Sequence, residues 1–301
     1  MATGGGNEPE WGVAPPGYRL PAATHIGAVR LQVADLDRSV GYYQSVIGLR
    51  LIDRSAGVAR LGAHDGTTAL VELHERPGVM PVPRRGLLGL YHFAILVPDR
   101  ASLGRFVRDL HGQGVRPGMS DHLVSEAVYL FDPDGLGIEV YVDRPRDEWR
   151  QENRQLVMAT DPIDLESLLA AAGDAPWEGM PAGTVIGHVH LFVGEIGAAS
   201  KFYHEGLGLD RTVWNYPGAL FMSAGGYHHH LGTNTWATGA RPAGPGDARL
   251  LEWELVVPTA ADAAAALESV KAAGGLTEHS SAGGSAIDPW GTRVRLVARG
   301  R

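Results

Sequence analysis

Cysteine is absent from the 301 residues. That excludes disulfides, thiolate catalysis, zinc fingers and iron–sulfur clusters. It leaves the compartment open, because a chain without cysteine suits a reducing or an oxidising one. A basic excess is missing too: Lys plus Arg number 26 against 34 for Asp plus Glu, a formal net charge of -8. The chain therefore lacks the field that draws nucleic acid or an anionic membrane, and neither is expected as a partner. No apolar run approaches the roughly 18 residues that a membrane-spanning helix needs. The opening MATGGGNEPEWG lacks the basic-then-apolar pattern of a secretory signal, so a cytoplasmic protein is expected. Wholesale disorder is also excluded, since 44% hydrophobic and 20% charged residues are globular proportions.

What the chain has in plenty is glycine, at 41, and histidine, at 13. Glycine without a collagen period means many tight turns between short strands. Histidine is the commonest neutral metal ligand and shuttles protons near neutral pH.

Internal repetition organises the rest. Four windows read alike: IGAVRLQV from Ile26, LYHFAILV from Leu90, IGHVHLFV from Ile186 and LLEWELVV from Leu250. They are rich in β-branched and aromatic residues and mostly alternate, as strands do. A helical segment follows each: Arg38 to Leu49, Ala101 to Gly114, Gly197 to Leu209 and Ala260 to Gly275. Glycine stops every one of them. Short alternating segments split by Gly, Asp and Pro come next and read as antiparallel strands. The unit is strand, helix, then about three strands, and odd copies match odd copies in register while even match even. The fold class is therefore α+β, four βαβββ modules in a duplicated pair. Residues 1–23 lack periodicity and read as a mobile or loosely docked arm. Residues 24–143 hold modules one and two, and residues 185–301 hold modules three and four. The polar stretch 144–184 between them reads as a linker with a short helix, Asp164 to Ala172, and its Trp149 and Trp177 suggest packing against the modules.

His92 and His188 stand third in their windows, and Glu139 lies in GIEVYV, the last strand of module two. Two imidazoles and one carboxylate on one face of a ferrous ion leave the opposite positions open for substrate and oxygen. A lone strand histidine is more often structural. Two at equivalent repeat positions, with a Glu in an apolar strand that needs a cation or an exposed side, point to a metal. The same positions in the complementary modules hold Ala28, Glu252 and Arg295, which cannot form such a site; Arg295 could pair with Glu252. The trio is complete only if module two pairs with module three, and pairing within halves splits it. His190 faces the same side as His188 and is as readily structural as functional. Glu72 is a further carboxylate that could add a ligand.

GYHHHLG, from Gly226, closes module three. Read as a strand, it turns His228 and His230 one way and His229 the other. In DHLVSEAVYLFDPDGLGIE, Tyr129 and Glu139 stand ten residues apart across a turn, so one hairpin can present both to one cavity. His122 reads as lying earlier on the Tyr129 strand.

These stretches, together with THIGAVRLQVADLDRSVGYYQSVIGL, resemble the vicinal oxygen chelate superfamily, and within it the two-domain catechol 2,3-dioxygenase-like proteins of bacteria. The resemblance covers most of Thr24 to Val297. It implies paired modules curling into two open cups, with His92, His188 and Glu139 on the metal positions. It also implies that His229, the second His of a motif HHxLAF that reads HHHLGT here, transfers protons, and that Tyr129 contacts substrate. His122 falls near a further active-site histidine. The implied chemistry is extradiol cleavage of an aromatic diol with O2 on Fe(II), in a chain compatible with a homo-oligomer. Other members imply a glyoxalase-like isomerase or thiol transferase on Mn, Ni or Zn, with Glu72 as a fourth ligand, or a metal-free binding protein of the resistance type.

Overall fold

The computed structural model describes residues 11–64, 66–280 and 283–299. Each repeat folds as strand, helix, three strands. Module one comprises β1 (His25–Val33), α1 (Leu36–Ser45), β2 (Arg50–Ser55), β3 (Val58–Gly62) and β4 (Val71–Glu75). Module two comprises β5 (Gly89–Leu96), α2 (Arg100–Gly112), β6 (Gly118–Asp121), β7 (Ser125–Phe131) and β8 (Gly137–Asp143). The connecting stretch carries a small hairpin, β9 (Gln151–Glu152) with β10 (Gln155–Leu156), and α3 (Leu165–Ala171). Module three follows with β11 (Val185–Phe192), α4 (Ile196–Ala199, continued by a π-helical turn Ser200–Gly206), β12 (Asp210–Val213), β13 (Ala219–Ser223) and β14 (Leu231–Asn234). Module four ends the chain with β15 (Arg249–Val257), α5 (Ala260–Ala272), β16 (Leu276–Ser280), β17 (Gly283–Ile287) and β18 (Arg293–Ala298).

Local chemistry starts the helices. The carboxylates of Asp35, Asp99 and Asp164 accept from the backbone N–H three residues on, and Thr259 with Asp262 closes a reciprocal capping box. The α4 start has no side-chain cap and its helix continues with π geometry. Each strand-forming window buries alternate or consecutive apolar residues into one large core that holds Tyr43, Phe93, Phe106 and Trp253.

Topology decides the pairing of modules. One sheet runs β12-β13-β14-β11-β5-β8-β7-β6 and the other β16-β17-β18-β15-β1-β4-β3-β2. Module three therefore shares a sheet with module two, and module four with module one. Within each module the first strand runs parallel to the last, as β5 does with β8 and β11 with β14. The two first strands then meet antiparallel at the sheet centre, β5 against β11 and β1 against β15. This is the architecture of two open half-barrels, each built from both halves of the chain.

The N-terminal stretch departs from expectation. Residues 1–10 of the expected arm lie outside the described residues, but residues 11–23 are tied down. Val13 bridges Arg211, Leu20 N–H donates to Gly208, and the Arg19 guanidinium holds Asp210 at 2.8 Å. Leu20 is buried, so an apolar contact anchors what periodicity alone left loose. Among the described residues no helix is long and apolar enough to cross a membrane.

Candidate metal centre and its cavity

The central strand pair sets the site. In β5 against β11, His92 stands opposite His190 and Ala94 opposite His188. On the other side of β5, Ala94 pairs with Glu139 of β8. A period of two then turns His92, His188 and Glu139 to one face. Their donor atoms all lie within 4.8 Å of one another. Glu139 Oε2 is 3.0 Å from His92 Nε2 and 3.2 Å from His188 Nε2. All three side chains are buried, with residue exposures of 4%, 2% and 2% for His92, His188 and Glu139.

The protonation states follow from that burial. Desolvation acts to raise the Glu139 pKa but is outweighed by the two facing imidazoles, which hold it well below the usual carboxylate range. Burial lowers His92 and His188, against the opposing pull of Glu139. An ionised carboxylate beside two neutral imidazoles is the state in which a divalent cation is bound.

Tyr129 pairs directly with Glu139 across the β7–β8 hairpin. Its hydroxyl lies 2.6 Å from His122 Nε2, while His122 Nδ1 lies 2.6 Å from the Ala159 carbonyl. A carbonyl only accepts, so Nδ1 carries the proton and, in a neutral ring, Nε2 accepts from the Tyr129 hydroxyl. Burial first, then Glu139, pushes Tyr129 well above its ordinary pKa. His122 is not on the Tyr129 strand as expected. It sits in the turn between β6 and β7, which Leu123 makes with a φ of 68°.

The histidine run also departs from expectation. It is not a strand: Gly225 and Gly226, at φ 63° and 69°, turn the chain after β13, and β14 begins only at Leu231. Alternation is lost, and His228 Nδ1 lies 2.7 Å from His229 Nδ1 instead of facing away. His229 packs its ring 4.1 Å from that of His188. Burial, followed by its neighbouring histidines, holds His229 well below the ordinary histidine pKa.

A cavity of about 250 Å3 opens onto these groups. Its walls include Tyr91, Tyr216, Phe221 and Trp236, with His92, His122, Tyr129, Glu139, His188, His190 and His229. Its rim is completed by Met158, Ala159 and Thr160 of the connecting stretch. That segment is strapped to β6 by paired backbone bonds between Asp121 and Asp161, and to module three by Thr160 Oγ1 at 2.9 Å from Tyr216 Oη. No sequence pattern marked residues 158–160 as cavity wall. His190 lines the cavity 2.9 Å from Asn234 Nδ2 and stands outside the clustered trio.

The glyoxalase/bleomycin resistance protein/dioxygenase family model matches residues 25–140 and 185–296, that is, all four modules. The chain belongs to this superfamily. A catechol-2,3-dioxygenase of Bacillus subtilis is 46% identical over 237 residues, 78% of this chain and 82% of that protein. A crystal structure of a Bacillus subtilis protein provisionally assigned as a dioxygenase superposes with a TM-score of 0.63 at 13% identity, covering 93% of this chain and 86% of the other. Glyoxalase I from Zea mays superposes with a TM-score of 0.54 at 19% identity, covering 92% of each chain. At those identities the two structures speak for the fold alone.

The superfamily fold gives this chain a second, equivalent cup, and there the trio is replaced. Arg30 of β1 places its guanidinium among three carboxylates: Nε is 3.1 Å from Glu72, Nη2 is 2.9 Å from Glu254, and Nη1 contacts Glu252. Arg295 lies 3.8 Å from Glu252, the pairing the sequence suggested, and 3.9 Å from Glu254. Glu72 is thus engaged with Arg30 in the other sheet and does not join His92, His188 and Glu139, as it was considered to do. Its pKa, lowered to about 2, follows from its contact with His74 and then from Arg30, against burial. Arg30 escaped the sequence reading: it stands in the first window, but its place opposite Glu252 comes from the pairing of β1 with β15, which has no local signal.

Proposed function

We propose that this protein is a metal-dependent extradiol ring-cleaving dioxygenase that takes a catechol-like aromatic diol and O2. The observation that carries the reading is the convergence of His92, His188 and Glu139 at an aromatic-walled cavity, with His229 beside them. The relative at 46% identity supports the same chemistry.

The residues fit a metal. Two donor atoms about 2.1 Å from one ion, at right angles, stand about 3.0 Å apart. The Glu139 contacts with His92 and His188 have that spacing. A buried carboxylate opposed by two neutral rings also needs a cation to settle its charge. Fe(II) suits a two-histidine, one-carboxylate face best, with Mn, Ni and Zn as competitors for the same donors. Bound there, the ion would supply Lewis acidity towards the two diol oxygens and redox chemistry towards O2. The isomerase reading is weaker, because it calls on Glu72 and that side chain serves the second cup.

The chain's own groups do the rest. Tyr91, Phe221 and Trp236 provide faces and edges against which an aromatic ring packs. A cavity of about 250 Å3 suits one ring with a small substituent, being just below the usual range of small-molecule sites. Tyr129 directs its O–H to His122, so its oxygen lone pairs are free to accept from a substrate hydroxyl. His229 presents a neutral ring to the cavity and can take and return a proton. The connecting stretch shields that exchange from bulk water by closing the rim.

The test is direct. Full-length protein loaded anaerobically with ferrous iron is mixed with catechol and then exposed to air. Oxygen uptake stoichiometric with a yellow ring-opened product is expected. Stable catechol with no oxygen uptake would overturn the reading for this substrate.

A further inference from the structure

Strand β8 carries Glu139, Tyr141 and Asp143 at alternate positions, so one face of the strand leads from the metal donors outward. Glu139 and Tyr141 are buried, whereas the Asp143 side chain is 26% exposed. Asp143 Oδ1 lies 2.8 Å from His228 Nε2 and accepts from the Tyr227 hydroxyl at 3.1 Å. Tyr141 Oη, 2.6 Å from Tyr227 Oη, donates in turn, since the Tyr227 proton is already committed. The Tyr141 hydroxyl reaches this place only because β11 has Gly187 beside it; a Cβ there would stand 1.8 Å from Oη. His228, which is fully buried, then meets His229 through the 2.7 Å Nδ1–Nδ1 contact. A continuous hydrogen-bonded line thus joins a surface carboxylate to the cavity wall.

Donor accounting along that line fixes where the protons sit. A carboxylate oxygen only accepts, so His228 Nε2 carries hydrogen. In a neutral ring His228 Nδ1 is then a lone pair, and His229 Nδ1 must donate to it. That leaves His229 Nε2 bare, and this atom is buried without a hydrogen-bond partner among the described residues.

We propose that Asp143 and His228 are positioning residues that lock His229 in the tautomer whose Nε2 lone pair faces the substrate, making His229 the base of the reaction. The assignment of a base rests on the ring-cleavage reading; the tautomer does not. In the step it serves, a substrate O–H bond breaks, its proton passes to His229 Nε2 and the electron pair stays on oxygen. The imidazolium so formed keeps its Nδ1–H on His228, with the Asp143 carboxylate behind it, as an acid–histidine pair orients a catalytic ring in other enzymes.

The test reads the protons themselves. Two-bond proton–nitrogen correlation spectra of the metal-free full-length chain, labelled with 15N-histidine, show which ring nitrogen is protonated. Wild type is expected to show His229 protonated at Nδ1 and His228 at Nε2. Asp143→Ala, which removes the acceptor, is expected to mix the tautomers. Asp143→Asn keeps an oxygen that the Tyr227 hydroxyl orients, and is expected to preserve them. With iron and catechol, Asp143→Ala should lower kcat on the order of tenfold to a hundredfold, part of the usual worth of acid–base help. KM and iron content should hold, and Asp143→Asn should recover most of the rate. A proton on His229 Nε2 in wild type overturns the proposal without recourse to any variant. So does an Asp143→Ala chain with unchanged tautomers or full kcat. Absence of ring cleavage in wild type would instead strike the functional reading, with the spectra still deciding the tautomer.

Discussion

Tyr203 donates its hydroxyl to Asp288 Oδ2 across 2.9 Å, joining the helical segment of module three to the last turn of module four. The repeat-related pair, Tyr43 and Asp132, does the same between modules one and two at 3.4 Å. Each half of the chain is thus tied together by a buried tyrosine–aspartate contact, although its modules lie in different sheets. The second oxygen of each aspartate accepts backbone N–H groups of its own turn, Asp134 and Leu136 for Asp132, Trp290 and Thr292 for Asp288. The DPDG and DPWG motifs are therefore more than turns: their first residue holds the halves together.

These two carboxyls should make stability depend on pH. Burial raises Asp132 from 3.8 to about 7 and Asp288 from 3.8 to about 6, outweighing the donors that lower them. Between the unfolded value near 3.8 and those folded values, the native state binds more protons than the unfolded one. Their contribution to stability is therefore full below pH 3.8 and is lost as pH rises through 6 and 7. An Asp132→Asn, Asp288→Asn double variant keeps one acceptor oxygen at each site for the N–H groups of the turn, offers an amide N–H to the tyrosine oxygen in place of the second, and cannot ionise. Urea-unfolding free energies measured from pH 4 to 8 should fall less steeply in the variant than in wild type. Equal slopes would show that neither carboxyl carries a raised value.

The repeat was legible because strand windows, helix stops and the hairpin motif recur at matched spacing. His92, His188 and Glu139 were legible because repeat equivalence singles out positions where chemistry-bearing residues replace apolar ones. Pairing was not, since the antiparallel contact of β5 with β11 is made by residues about a hundred positions apart and has no local signal. The histidine loop was misread because HHHLGT has strand-like composition, and two left-handed glycines upstream override it. The rim at Met158 to Thr160 has no pattern of its own. It becomes wall through long-range bonds: Ala159 with His122, Thr160 with Tyr216, and the neighbouring Asp161 with Asp121.

Arg30 should prove structural and not catalytic. Its side chain is 18% exposed and faces Glu72, Glu252 and Glu254. Arg30→Met leaves three largely buried carboxylates without their shared cation, and a loss of about 2 to 4 kcal/mol is expected, discounted from a fully buried pair for partial solvation. Thermal unfolding should shift down while bound iron per chain stays the same. Iron lost in proportion to Arg30 substitution, with stability unchanged, would put the metal in the wrong cup.

Substrate charge should matter more than substrate bulk. Among the described residues, those lining the cavity include no Lys or Arg, and Glu139 is their one carboxylate. A diol whose ring bears a carboxylate would bury that charge without a partner, at a cost of several kcal/mol. A methyl-substituted catechol would instead gain apolar contact with Phe221 and Trp236. Steady-state kinetics on the two should differ in kcat/KM by on the order of a hundredfold or more in favour of the methyl compound. Comparable values would require a cation at the rim that the cavity walls do not show.

The two cups should respond differently to removal of equivalent groups, because one holds imidazoles around a carboxylate and the other carboxylates around a guanidinium. His188→Ala removes a buried donor 3.2 Å from Glu139, so ferrous iron per chain should fall below measurable occupancy, and ring cleavage with it. Glu252→Ala removes one of three partners of Arg30 and leaves the His188 cup untouched, so iron content should be that of wild type while stability drops by roughly 0 to 3 kcal/mol. His229→Ala, between these extremes, leaves all three donors in place and takes away the proton acceptor at the cavity wall. It should retain iron yet turn over on the order of 10²- to 10⁴-fold more slowly. Metal analysis beside kcat separates the three outcomes on one set of samples. Iron retained in full by His188→Ala would refute the trio, and iron lost from His229→Ala would make that residue a ligand instead of a base.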